Sequence, residues 1–181
     1  MNVDPHSSPT AHQRLRLRFT KDGDLRWIGH RDLARTFERL VRRAGLALRM
    51  SAGFHPKPKM AFPSALAVGI AGRAEVMELE LATPVEPQQV LARLAAEAPP
   101  GLTLLAVESL AAGSPKAHVR AMTYQFPVPA ERREQVEQAM EQLRAAPNLL
   151  VQREDRPAPL DVRADLESLA WRDEAVCFRI R

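Results

Sequence analysis

Cysteine is almost missing from this 181-residue chain, where Cys177 stands alone. One thiol cannot close an intrachain disulfide, and an iron–sulfur cluster needs at least three thiolates, so both are excluded. Cys177 lies in a strand pattern and reads as a small core residue rather than a nucleophile. No C-x-x-C pair, H-E-x-x-H helix or P-loop is present, and "GIAGRAE" lacks the lysine and spacing of a loop that cradles phosphate. Apolar runs are short as well. None approaches a membrane span, and the N-terminal "MNVDPHSSPTAH" lacks the apolar core of a secretory signal, so a cytoplasmic location is expected.

Acidic residues are scarce in one place. Residues 1–60 hold 13 Lys/Arg against 5 Asp/Glu and residues 61–181 hold 13 against 17, so the net charge of +4 divides into +8 and −4. Such asymmetry points to a nucleic-acid or other polyanion surface in the first sixty residues. A solvated basic face is the plainer reading.

What is present follows clear periods. "RLRLRF" puts Leu15, Leu17 and Phe19 on one face and Arg14, Arg16 and Arg18 on the other, as in a half-buried strand. From His30 to Ala44, the apolar Leu33, Phe37, Leu40, Val41 and Ala44 recur at helical spacing before Gly45. "LALRM" reads as a short strand, and "EVMELEL" as another with Met77, Leu79 and Leu81 inward. "EPQQVLARLAAEA" reads as a helix ended by Pro99-Pro100, and "LTLLAVESL" as a strand.

The resulting order over residues 13–110, β-α-β-β-α-β, is the ferredoxin-like signature of an α+β domain, with two helices on one face of a four-stranded antiparallel sheet. Residues 1–12 read as a disordered tail and "AAGSPKAH", residues 111–118, as a linker. Residues 119–181 start a second ferredoxin-like unit with "RAMTYQFPV", "AERREQVEQAMEQLRAA" and "NLLVQRE". One or two strands then follow, and the chain stops on a strand pattern, so this unit is either reduced or truncated.

"SAGFHPKPKMAFPSA", residues 51–65, crowds three prolines with His55, Lys57 and Lys59. Gly53 would permit a turn, Phe54 would anchor the loop in the core, and Pro56 and Pro58 would hold both lysines extended. In the expected topology, this loop and the helix start "GHRD" emerge at one end of the sheet, which makes His30 and His55 neighbours. With Lys57 and Lys59 they would form a phosphate site at the helix N-terminus. Otherwise Asp32 and His30 simply cap the helix. Arg31, Arg35, Arg39 and Arg42 follow at i, i+4, i+8 and i+11, a stripe able to track a phosphate backbone or to lie solvated beside Asp32 and Glu38. Arg16 and Arg18 are expected to be neutralised by Glu78 and Glu80 across the sheet. Trp27 and Trp171 read as packing residues. His30, Asp32 and His55 form too weak a pattern for a metal site, so no metal and no cofactor is expected.

The combination of K-x-G-x-L-R, H-x-D-L-x-R, E-R-x-x-R-R-A-G and G-F-H-P-x-P-K, over roughly the first third of the chain, resembles the radical SAM-linked protein family. That is a domain of unknown function found alone or fused to radical SAM enzymes. The resemblance implies a radical SAM enzyme as partner and RNA or a ribonucleoprotein as target, and supplies no catalytic residues. With a single cysteine, the chain would be a non-catalytic accessory. Two other readings stand beside it: a metal-independent ribonuclease using His30 and His55 as acid and base, and a protein-docking module without nucleic-acid contact.

Overall fold

The computed structural model describes residues 12–154 and 157–181, which form a mixed α+β structure in two compact units dividing after His118. The tail expected over residues 1–12 lies outside the described residues apart from His12. Among the described residues no helix is long and apolar enough to cross a membrane.

The first unit runs β1 (Gln13–Lys21), a 3-10 turn (Gly23–Trp27), α1 (His30–Arg43), β2 (Met60–Ala61), β3 (Gly72–Leu81), α2 (Pro87–Ala96) and β4 (Leu102–Leu110). Its sheet has the order β2-β3-β1-β4, with every neighbouring pair antiparallel. Alternation decides the faces: Leu15, Leu17 and Phe19 of β1 and Met77, Leu79 and Leu81 of β3 are all buried. Onto them pack Leu33, Phe37, Leu40 and Val41 of α1 and Val90 and Leu94 of α2. Pro87 opens α2 without loss, because a first-turn N–H has no partner within the helix. The end of β1 is stitched to the start of β4, where Asp22 N donates to Gly101 O at 2.8 Å. A Cβ at Gly101 would come within 2.4 Å of Asp22 O, so only glycine fits there.

One strand departs from expectation. "LALRM" makes only isolated bridges, Leu48 to Leu81 and Met50 to Pro58, and the regular edge strand is Met60–Ala61. Arg49 N donates to Glu80 O of β3, and Ala47 O accepts from Ala82 N, one residue past that strand. The chain then leaves the sheet and returns at Lys59, whose O accepts from Glu80 N at 3.0 Å. Residues 50–58 are therefore a hairpin inserted into the edge strand, not a loop that follows it.

The other sheet face is polar and centred on Glu78, only 5% exposed. Its carboxylate accepts from Arg14 Nη2 at 2.5 Å, from Arg16 Nη2 at 2.8 Å and from the N–H of Ala117 at 2.9 Å. Arg14 also donates to Ser114 O, so the linker is drawn over this face. Burial raises the Glu78 pKa, but the hydrogen bonds from Arg14, Arg16 and Ala117 reverse that and leave it below the ordinary 4.5.

The second unit contains β5 (Met122–Pro127), a 3-10 turn (Ala130–Arg132), α3 (Arg133–Ala145), β6 (Leu150–Val151), β7 (Leu160–Asp161), β8 (Leu166–Arg172) and β9 (Ala175–Ile180). Three strand segments, not one or two, follow residue 159. They build a sheet of order β5-β9-β8 and a separate β6-β7 ribbon, so the strand order of the first unit is not repeated. With α3 the single α-helix among its described residues, the core is thin: Met140, Ala175 and Val176 are its buried apolar residues. An apolar cavity of about 330 Å³, lined by Met140, Leu143, Leu169 and Phe178 among others, remains between helix and sheet. Cys177 is only half-buried.

Glu78→Ala should lower the unfolding free energy in urea by about 2–4 kcal/mol, because two guanidinium groups and an amide lose their common acceptor. A loss below about 1 kcal/mol would show that this carboxylate does not hold the face. A carboxyl depressed on folding stabilises fully above its unfolded pKa and loses that contribution as pH falls through its folded value. The wild type should therefore shed its advantage over Glu78→Gln as pH drops below 4.5.

Candidate functional site

The basic stripe lies on α1, whose buried side fixes which residues face water. Arg31, Arg35, Arg39 and Arg42 are all exposed. Arg35 Nη1 stands 3.5 Å from Asp32 Oδ1, a weak contact, and Arg39 donates to Thr36 Oγ1 at 3.4 Å. Among the described residues no acid pairs with Arg31, Arg39 or Arg42. Arg43 differs, since it reaches α2 to donate to Glu97 O at 2.7 Å and pair with the carboxylate at 3.3 Å.

Gly29 occupies the N-cap position ahead of His30, so no side chain caps the helix. Asp32 does not cap; it faces Arg35 instead. His30 is exposed, its ring edge-on to Phe62 at 5.2 Å, and Phe62 in turn meets Phe37 at 5.7 Å and Phe19 at 6.4 Å. An aromatic chain thus ties the first residue of α1 to the core.

Lys21, at the inner end of β1, is 1% exposed and donates to Ile28 O at 3.2 Å, just ahead of the helix. Burial pulls its pKa below 10.5, with the negative Glu75 opposing. Burial likewise raises the Glu75 carboxyl, with Lys21 opposing. The alternation that puts Leu15, Leu17 and Phe19 inward does the same for Lys21, and this was the available signal for a buried amine.

The inserted hairpin carries the second motif. Ser51 N donates to Lys57 O at 2.8 Å, Lys57 N donates to Ser51 Oγ at 2.9 Å, and Lys59 N donates to Arg49 O at 2.8 Å. At its tip Gly53 takes φ +116°, which a side chain disfavours. Phe54 does not anchor the loop in the core; it is fully exposed. His55 and Lys57 are exposed too, whereas Lys59 Nζ lies 3.7 Å from Glu80 Oε2, a carboxylate shared with Arg49 at 2.7 Å. Glu80 therefore pairs with Arg49 and Lys59 rather than Arg18, while Glu78 takes Arg16 as its register predicts. Among the described residues no hydrogen bond or ring contact joins His30 to His55. The two motifs are linked through Phe62, three residues beyond Lys59. Trp27 is not a packing residue in the interior: it is 58% exposed, with the Arg26 guanidinium 5.0 Å above its ring. Among the described residues no three of His, Cys, Asp or Glu gather closely enough to hold a metal ion.

Residues 14–180 match the DUF2344 family, described as an uncharacterized protein conserved in bacteria. The chain belongs to this family. No curated protein matches it. The span shared with DUF2344 takes in α1, the hairpin and nearly all of the second unit, so neither motif is an addition outside the family's common region.

If Ser51 pins the hairpin, the Lys57 amide should exchange with solvent more slowly than that of His55. Ser51→Ala should speed exchange at Lys57 roughly fivefold, the equivalent of one hydrogen bond of about 1 kcal/mol. Equal exchange at both sites in the unaltered protein would mean a loose loop.

Proposed function

We propose that the protein is an RNA- or ribonucleoprotein-binding accessory of a radical SAM enzyme, holding backbone phosphate on the outer stripe of α1 and on the hairpin. The observation that carries this is the state of the arginines: Arg31, Arg39 and Arg42 stand exposed on one helical face without an acidic partner among the described residues. Guanidinium groups at helical spacing suit a run of phosphates, each contact releasing condensed counterions. His30, His55 and Lys57 add exposed donors, and Lys59 contributes only so far as Glu80 releases it.

The radical SAM partner comes from the resemblance of the motifs, and Cys177 alone leaves cluster chemistry to that partner. Within this reading the first unit is ferredoxin-like, supported by its element order and the antiparallel order β2-β3-β1-β4, and the second is a reduced relative. The polar sheet face would not be the RNA platform, since Glu78, its arginines and the linker occupy it. The protein would work in the cytoplasm, presenting substrate while its partner performs the reaction.

Changing Arg35, Arg39 and Arg42 together to Glu should abolish retention of single-stranded RNA at low salt and leave the circular dichroism spectrum unchanged. Undiminished retention would discard the helix as the binding face. Each phosphate contact removed should also flatten the salt dependence by roughly 0.7 units of slope. Incubation of the unaltered protein with total RNA, with and without divalent metal, should give no cleavage. Cleavage lost in His55→Ala would move the assignment to a ribonuclease.

A further inference from the structure

The hairpin tip holds a large aromatic side chain that the fold does not use. Phe54 is fully exposed, yet the backbone beneath it is fixed by the paired Ser51 and Lys57 contacts and by the Met50–Pro58 bridge. Scattered exposed apolar residues are ordinary on a surface, but this one stands at the end of a pinned, proline-stiffened projection. The stretch of chain that carries it is basic, with no Asp or Glu between Glu38 and Glu75; Arg49 and Lys59 at the base of the hairpin share Glu80, whereas Lys57 pairs with no acid among the described residues. His55, exposed, follows Phe54 directly, and the exposed cation of Lys57 stands three residues on.

We infer that Phe54 is a stacking platform for an unpaired base, with Lys57 on the adjoining phosphate. This makes single-stranded nucleic acid the partner, an inference that rests on the RNA-binding reading above. A ring beside a cation matches the two parts of a nucleotide, and every base offers a π-face whatever its sequence. Paired bases inside a duplex are closed to such a ring, so a duplex would gain only the phosphate contacts. A bilayer surface would demand more apolar area than one phenyl ring flanked by Gly53 and His55 supplies.

The test uses the full chain and fluorescence anisotropy with a labelled oligouridylate dodecamer, a duplex of equal length, and sedimentation with phosphatidylserine vesicles. Phe54→Ala should weaken oligouridylate binding about tenfold, with the salt slope, the duplex affinity and the thermal melt unchanged. Phe54→Trp should restore the affinity and show quenching on binding beyond that of Trp27 and Trp171 in the unaltered protein. Oligouridylate affinity unchanged in Phe54→Ala, or an equal loss for the duplex, would overturn the stacking role while leaving the helix reading intact. Failure of the unaltered protein to bind either oligonucleotide at low salt would remove the RNA-binding reading and this inference together. A Phe54-dependent loss confined to the vesicles would reassign the ring to a membrane surface.

Discussion

A single carboxylate governs how the first unit is assembled. Glu78 is buried on the polar face of the sheet, where an unpaired charge would be costly, and its burial is tolerated because Arg14, Arg16 and the Ala117 amide converge on it. The pairing fixes the register of β1 against β3, since Arg16 and Glu78 stand directly opposite one another. It also draws residues 114–117 across the sheet, so the chain leaving β4 is held against the face opposite the helices. With helices on one side of the sheet and the Arg14–Glu78–Arg16 cluster on the other, the exposed cations of α1 and of the sheet edge lie away from both packed faces.

The same logic sorts the cations of the basic first sixty residues. Arg14 and Arg16 are matched to Glu78, Arg49 and Lys59 to Glu80, and Arg43 to Glu97. Arg31, Arg39, Arg42 and Lys57 form no ion pair among the described residues. Charge counting over a segment cannot make this distinction, because it depends on which acids the fold brings near. Buried partners are held firmly and exposed ones weakly, so the near-surface Arg35–Asp32 contact leaves Arg35 largely available.

The sequence made much of this visible. Alternation located β1 and β3 and their inward residues, because a period of two on a half-buried strand has no other stable placement. Helical spacing did the same for α1, down to Leu33, Phe37, Leu40 and Val41. The fate of "LALRM" was not legible: its pattern suits a strand, but the return of the chain at Lys59 to share β3 is a long-range pairing with no local signature. Phe54 was misplaced for a related reason: a large apolar side chain in a loop suits an anchor, and only the folded hairpin shows it facing outward. The second unit was the least legible. Its strands are short, and β9, with five apolar residues in six, does not alternate, so periodicity could not foretell that β9 would sit between β5 and β8.

The inserted hairpin also bears on how copies of this protein avoid one another. An edge strand offers a row of free N–H and C=O groups on which another chain can pair, and long regular edges promote aggregation. On the β2 side, the edge is regular for only the two residues Met60 and Ala61, and the excursion through Pro56 and Pro58 interrupts it immediately before. The proline nitrogens cannot donate to an incoming strand, and the charged Lys57 and Lys59 oppose a like segment from another copy. The segment that projects a candidate contact surface therefore also blunts the sheet edge as a template for fibril-like growth.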